Sequence, residues 1–231
     1  MNPSLPMAVS NRVSSPQAGP HHLLAQVVAR HCTHAFRKPA APYSTAAFER
    51  LLSAWDRRAA PILDIGCGTG ESTCTLARAA PGRLVVGIDQ SAARLARAVA
   101  RPQQPANALF LRADAVDIWT LLAAAGIAPH AQYLLYPNPW PKPRHLMRRW
   151  PGHPIFPTVL ALGGHIECRS NWRVYVEEFA MAARLAGGSA AQMESFIPQD
   201  PLTLFERKYA ASGHRLYRAT LAAPPLNPGA P

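Results

Sequence analysis

Residues 63–71 read Leu63-Asp64-Ile65-Gly66-Cys67-Gly68-Thr69-Gly70-Glu71, a short apolar strand that runs into a glycine-rich turn and then opens a helix. Glycines there let the backbone approach a nucleoside-bearing ligand closely, in a turn where side chains would clash. Asp89 closes the next predicted strand, 23 residues beyond Gly66. An acid at that place accepts hydrogen bonds from both ribose hydroxyls of an adenosine. A dinucleotide fingerprint would put Gly or Ala at the sixth position of G-x-G-x-x-G, and Glu71 stands there instead, which disfavours NAD.

Outward from this turn, short apolar runs alternate with longer amphipathic ones. The pattern predicts an α/β domain with a mostly parallel central sheet and helices on both faces. Residues 61–65, 83–89, 108–114, 133–136 and 164–168 read as strands. Residues 71–80, 91–101 and 115–125 carry helix formers, with Ser91 as an N-cap, and 171–185 reads as a helix starting at the capping residue Asn171 and stopping at Gly187-Gly188. The expected organisation is a disordered tail over 1–20 and a helical lead-in over 21–58, whose helices cover 22–37 and 44–58 on either side of a turn at Pro39–Pro42. The main domain then covers 59–222, and a proline-rich tail covers 223–231, where missing backbone donors prevent any element from continuing.

A chain of 231 residues that is 48% hydrophobic can bury one substantial core. Its 24 Lys plus Arg against 13 Asp plus Glu leave a net charge of +11, a poorly cancelled positive field for which nucleic acid is the natural partner. Only Lys38, Lys142 and Lys208 are lysines, so an arginine-favouring coding bias is the plainer source of this charge. No apolar run approaches the roughly 18 residues of a membrane span, and the start lacks a secretory leader. The cysteines, Cys32, Cys67, Cys74 and Cys168, form no C-x-x-C pair, and His31-Cys32-Thr33-His34 matches no common zinc spacing. No metal is expected. A reducing cytoplasm and a monomer are.

In the second half, Tyr136-Pro137-Asn138-Pro139-Trp140-Pro141-Lys142-Pro143-Arg144-His145, followed by Arg148-Arg149, joins a rigid loop to a cluster of positive groups. By composition this is equally a landing site for a phosphate-bearing substrate or a proline-stiffened turn with solvated arginines. Trp140 is the better candidate for stacking a base. Tyr175, one helical turn beyond Asn171, reads as core.

Asp64, the GCGTG turn, Asp89 and Asp114-Ala115 together resemble the cofactor side of Rossmann-like S-adenosylmethionine-dependent methyltransferases. The resemblance implies that Asp64 with Gly66, Gly68 and Gly70 lies near the methionine part, Asp89 at the ribose, and Asp114 with Ala115 at the adenine edge. Over residues 60–220, PNPWPKPRH with its following R-R, the GGH and SNWRVY segments, and Thr203-Leu204-Phe205-Glu206 resemble the bacterial tRNA (guanine-N7)-methyltransferases. That family's motifs read P-D-P-W-x-K, D-W-x-x-Y and T-x-F-E. Carried over by position, Asn138 takes the place of the catalytic-loop acid beside the cofactor. Lys142, Arg144 and Asn171 face the substrate, and Thr203, Leu204, Phe205 and Glu206 complete the pocket. The implied cofactor is S-adenosylmethionine and the implied partner is tRNA.

This chain departs from that pattern with Asn138 and Asn171 where the family has Asp. Guanine N7 carries a free lone pair, so methyl transfer needs alignment rather than a base. Replacing a charge-assisted bond by a neutral one costs roughly 1–2 kcal/mol, about tenfold per site. Three readings follow: a working guanine-N7 methyltransferase in which Glu167, Glu206 or His165 compensates; a methyltransferase acting on another substrate; and a non-catalytic RNA-binding relative.

Overall fold

Ile62, Leu63 and Ile65 are buried on both faces of the strand they form, β1 (Ile62–Ile65), as are all residues of β2 (Val85–Asp89). Strands without a solvated face belong inside a parallel sheet covered on both sides. A computed structural model describes residues 10–11, 13, 15–187 and 190–223. Two lead-in helices, α1 (Leu24–Thr33) and α2 (Pro42–Ala54), precede β1. After it come α3 (Glu71–Ala79), β2, α4 (Ala92–Val99), β3 (Ala108–Arg112), α5 (Ala115–Ala124), β4 (Ala131–Leu135) and α6 (Phe156–Ala161). The chain closes with β5 (Gly164–Ser170), α7 (Arg173–Leu185), β6 (Gln192–Phe196), α8 (Leu204–Ala211) and β7 (Leu216–Ala223). The sheet order is β3-β2-β1-β4-β5-β7-β6, with β1 to β5 mutually parallel and β7 antiparallel to both neighbours.

From β1 the chain winds outward through β2 to β3, then returns to pair β4 with the other side of β1. Right-handed crossovers in opposite directions put the helices on opposite faces. The core divides accordingly. Cys74, Leu95 and Ala98 of α3 and α4 cluster with Phe110. Trp119, Phe156 and Phe179 of α5, α6 and α7 join the lead-in residues Leu24 and Leu51 in the larger cluster. The point where the winding reverses, between β1 and β4, is where open α/β sheets bind ligands, at the carboxyl ends of the strands.

The expected α/β architecture is the one observed, and Ser91 does cap α4, accepting a bond from the Arg94 amide at 3.3 Å. Several boundaries differ. Pro42 belongs to α2 rather than to the preceding turn, because a proline fits the first helical turn, where its missing N–H has no partner to lose. The helix after β5 starts at Arg173 with Trp172 as its cap residue, not at Asn171. The antiparallel pair β6 and β7 escaped the periodicity reading. In the segment expected to be a loose tail, Gln17 bonds to both Arg149 and Glu178. Residues 224–231 of the expected C-terminal tail lie outside the described residues.

Candidate active site at the reversal of the sheet

The glycine turn leaves β1 as expected and is tied to β2. The amides of Gly66 and Cys67 both donate to the Ile88 carbonyl, at 2.8 and 3.0 Å. Gly66, Gly68 and Gly70 all hold positive φ, of 75°, 57° and 77°. The space beside them differs. A Cβ on Gly66 would meet nothing within 4 Å, and one on Gly68 only the Gly66 carbonyl at 4.0 Å, so these two leave open space beside the backbone. A Cβ on Gly70 would fall 2.5 Å from Phe110 Cε1 and 2.8 Å from Ala98 Cβ, so Gly70 is required by the packing of α3 onto β3 and α4.

Asp64 is 1% exposed in the middle of β1, and its Oδ2 accepts hydrogen bonds from Ser72 Oγ and Thr73 Oγ1, both at 2.6 Å. Burial pushes its carboxyl up to about 6 although the two hydroxyl bonds oppose the shift. Oδ1 takes no bond among the described residues. Asp89, at the end of β2, accepts from the Gly68 amide on Oδ2 (3.0 Å) and from the Ser91 amide on Oδ1 (2.8 Å), with Arg94 Nη2 3.0 Å from the same Oδ1. Two of its roughly four acceptor positions are therefore in use and the half-exposed Arg94 stands against a third, so a contact with both ribose hydroxyls requires Arg94 to swing away. Asp114 caps α5 through Oδ1 to the Val116 amide (3.0 Å), and its Oδ2 holds Lys38 Nζ at 2.8 Å. Ala115 is the first residue of that helix.

The second loop leaves β4 through Tyr136, whose φ of 51° and the 43° of Trp140 bracket Pro137-Asn138-Pro139. Left-handed backbone in non-glycine residues is strained and persists only where surrounding contacts hold it. Asn138 Oδ1 accepts a long bond, 3.3 Å, from the Trp140 amide. Lys142, Arg144 and Arg148 are exposed, with the Arg148 guanidinium 4.8 Å over the Trp140 ring. Arg149 is not part of that cationic surface. It is 2% exposed and paired with Glu178 at 2.6 Å. Tyr175 is core, as expected, with its hydroxyl accepting from the Trp150 amide.

Behind the loop, Arg169 joins Glu167 (2.5 Å) to Glu206 (2.8 Å), linking β5 to α8. Glu206 is fully buried, and its Oε2 accepts from the Leu202 amide at 2.6 Å. Thr203 caps α8, accepting from the Glu206 amide at 2.9 Å. The T-x-F-E segment is thus a capping motif whose polar members face inward, while Leu204 and Phe205 are 50% and 57% exposed. The buried hydroxyl of Tyr136 has no hydrogen-bond partner among the described residues, and burial and the nearby Glu206 carboxylate raise it well above an ordinary phenol. Asn171 Nδ2 lies 3.2 Å from His214 Nδ1, in a cleft of about 440 Å³ that Arg173, Arg215 and Tyr217 also line. Arg207 pairs with Glu71, which brings α8 against the residue directly after the glycine turn.

Residues 58–219 match the family model described as "Putative methyltransferase". The tRNA (guanine-N(7)-)-methyltransferase of Nitrosococcus oceani is 32% identical over 182 residues, which cover 72% of this chain and 73% of that protein. That of Leifsonia xyli subsp. xyli is 30% identical, over 70% of this chain and 75% of its own length.

The chain belongs to the tRNA (guanine-N7)-methyltransferase family. Among solved structures, the family fold seen here is similar to an antibiotic-related methyltransferase (TM-score 0.57, 15% identity, 81% of this chain and 97% of that one). It is also similar to the 16S rRNA methyltransferase KamB (TM-score 0.55, 23% identity, again 81% and 97%). At these identities the likeness establishes a methyltransferase fold. Among the described residues, no helix is long and apolar enough to cross a membrane, and no group of three or more His, Cys, Asp or Glu is placed to hold a metal ion.

Proposed function

We propose that this chain transfers the methyl group of S-adenosylmethionine to N7 of a guanine in tRNA, working as a cytoplasmic monomer. One observation carries the reading. β1 and β4 pair in parallel register from Ile62↔Ala131 to Ile65↔Leu134, so the glycine turn and the Pro137–Lys142 loop leave the sheet side by side at its reversal point. The names of the curated relatives supply the substrate.

The glycine side fits the cofactor, since Gly66 and Gly68 leave open space at positive φ and, among the described residues, Asp64 keeps Oδ1 free of bonds. When bound, S-adenosylmethionine supplies an electrophilic methyl on a sulfonium. Asp64 holds the methionine ammonium, which favours the ionised carboxylate. Asp89 accepts one ribose hydroxyl, or both once Arg94 swings away. Asp114 keeps a lone pair on each oxygen for the adenine amino group beside Ala115. On the other loop, the Asn138 carbonyl gives up its 3.3 Å bond to accept a guanine N–H and aligns the N7 lone pair. Lys142 and Arg144 hold phosphates, Asn171 bonds the substrate edge, and Leu204 and Phe205 cover it from α8, whose start Thr203 and Glu206 fix.

The groups expected to compensate for the two asparagines are engaged elsewhere, since Arg169 bridges Glu167 and Glu206 and His165 lies against Glu167. Each asparagine therefore retains its cost, and turnover is expected on the order of a hundredfold below that of an all-carboxylate site. The test is transfer of label from S-adenosylmethionine to unmodified total tRNA. In the same assay Lys142→Ala weakens tRNA binding and lowers its salt slope by about one, with cofactor affinity unchanged. An unchanged slope removes Lys142 from the phosphate contacts, and no labelled tRNA from the wild-type chain removes the reading.

A further inference from the structure

Arg149 donates all five of its N–H groups within the protein. Nη1 makes both bonds to Glu178, at 2.6 and 2.7 Å. Nε reaches the Trp140 carbonyl at 3.1 Å, and Nη2 is shared between Gln17 Oε1 (2.6 Å) and the Lys142 carbonyl (3.3 Å). Two of these five acceptors are backbone atoms of the loop that carries Asn138, and one of them belongs to Trp140, the residue at φ 43°. Glu178 is 0% exposed on α7 and also accepts from the amide of His21 at 3.0 Å and from Gln17 Nε2 at 3.4 Å. The N-terminal segment, the loop and α7 therefore meet on one guanidinium.

We propose that Arg149, held by Glu178 and Gln17, is the positioning residue that keeps the Pro137–Lys142 loop in its strained, methyl-transfer-competent form, and that the segment around Gln17 is part of the working active site. The proposal rests on the reading of that loop as the guanine-aligning one. The physical ground is that a left-handed residue relaxes unless something holds it. Here the Asn138–Trp140 bond is long, whereas a planar guanidinium with five N–H groups fixed on three nitrogens can hold two carbonyls at once. Lysine in its place keeps the charge opposite Glu178 but has a single donor centre and cannot span Glu178, Trp140 and Lys142.

Arg149→Lys is expected to lower kcat for methyl transfer at least tenfold, with the dissociation constants of S-adenosylmethionine and tRNA changing less than twofold. Gln17→Ala, which removes one partner at the protein's edge, lowers kcat about threefold in the same pattern. Both full-length variants are also digested with trypsin under native conditions, where cleavage after the exposed Arg144 is expected to accelerate several-fold while cuts elsewhere keep wild-type rates. A wild-type kcat in either variant overturns the proposal, as does a loss confined to tRNA binding. Unchanged cleavage after Arg144 overturns it as well. If Arg149→Lys does not fold, Gln17→Ala alone decides. A wild-type chain that methylates no tRNA sinks the functional reading instead, and the trypsin rates then judge whether Arg149 holds the loop.

Discussion

The glycine turn after β1 and the asparagine loop after β4 lie on the same sheet edge, yet they are built in different ways. The first is local. Asp64 Oδ2 is held by Ser72 and Thr73, eight and nine residues on, and the turn is tied to Asp89 and Ile88 of the adjacent strand. The second is held from a distance. Trp140 and Lys142 depend on Arg149, which depends on Glu178, 29 residues later, and on Gln17, 132 residues earlier. A turn fixed by its own neighbours serves a ligand shared by many enzymes, whereas a loop fixed by remote contacts can be altered with the substrate.

Gly70 gives the largest expected effect on the local side. Gly70→Ala puts a methyl 2.5 Å from Phe110 and should cost about 3 kcal/mol or more, overpacking adding to left-handed strain, in denaturant unfolding. Gly66→Ala meets no atom and should cost only about 1–2 kcal/mol, while cofactor affinity falls because the open space is filled. Equal stability losses would erase the distinction drawn between the two glycines.

Asp64 comes next. Its folded value of about 6 stands above the 3.8 of a free carboxyl, so its contribution to stability is fully present below about pH 4 and is lost as pH rises through 6. Asp64→Asn removes this dependence. The stability of the variant relative to wild type should therefore improve by as much as roughly 3 kcal/mol between pH 4 and 7, measured by urea unfolding without cofactor. A constant difference across that range would mean the carboxyl titrates normally.

The smallest effect belongs to the remote loop. Asn138→Asp should raise kcat about tenfold by restoring a charge-assisted bond and countering the charge arriving on the ring. A drop in rate would show that the loop has been rebuilt around the amide.

The contrast also explains what was legible in the sequence. Short-range patterns gave β1 to β5, α3, α4 and α5, the cap at Ser91 and the glycine turn with its acids, because burial on both faces leaves continuous apolar runs. β6 left no such signal, since Gln192, Glu194 and Ser195 are exposed and only Met193 and Phe196 lean inward. β7 was lost for another reason, because Arg218 and Thr220 break its apolar run. Arg149 read as one more surface cation of an R-R pair. Its acid partner lies on a helix whose position follows only from the fold, and no spacing rule connects the two. Glu206 had a local signal, the Thr203–Glu206 capping spacing, which the family resemblance overshadowed.

The central claim is methyl transfer to guanine N7 in tRNA, and strand scission tests it most directly. Unmodified tRNA is incubated with the protein and S-adenosylmethionine, then treated with borohydride and aniline, which cut the chain at 7-methylguanosine. A cleavage band at a single guanine is expected, present with the wild-type chain and stronger with Asn138→Asp. Label in tRNA without that band, or no label from either chain, would contradict it.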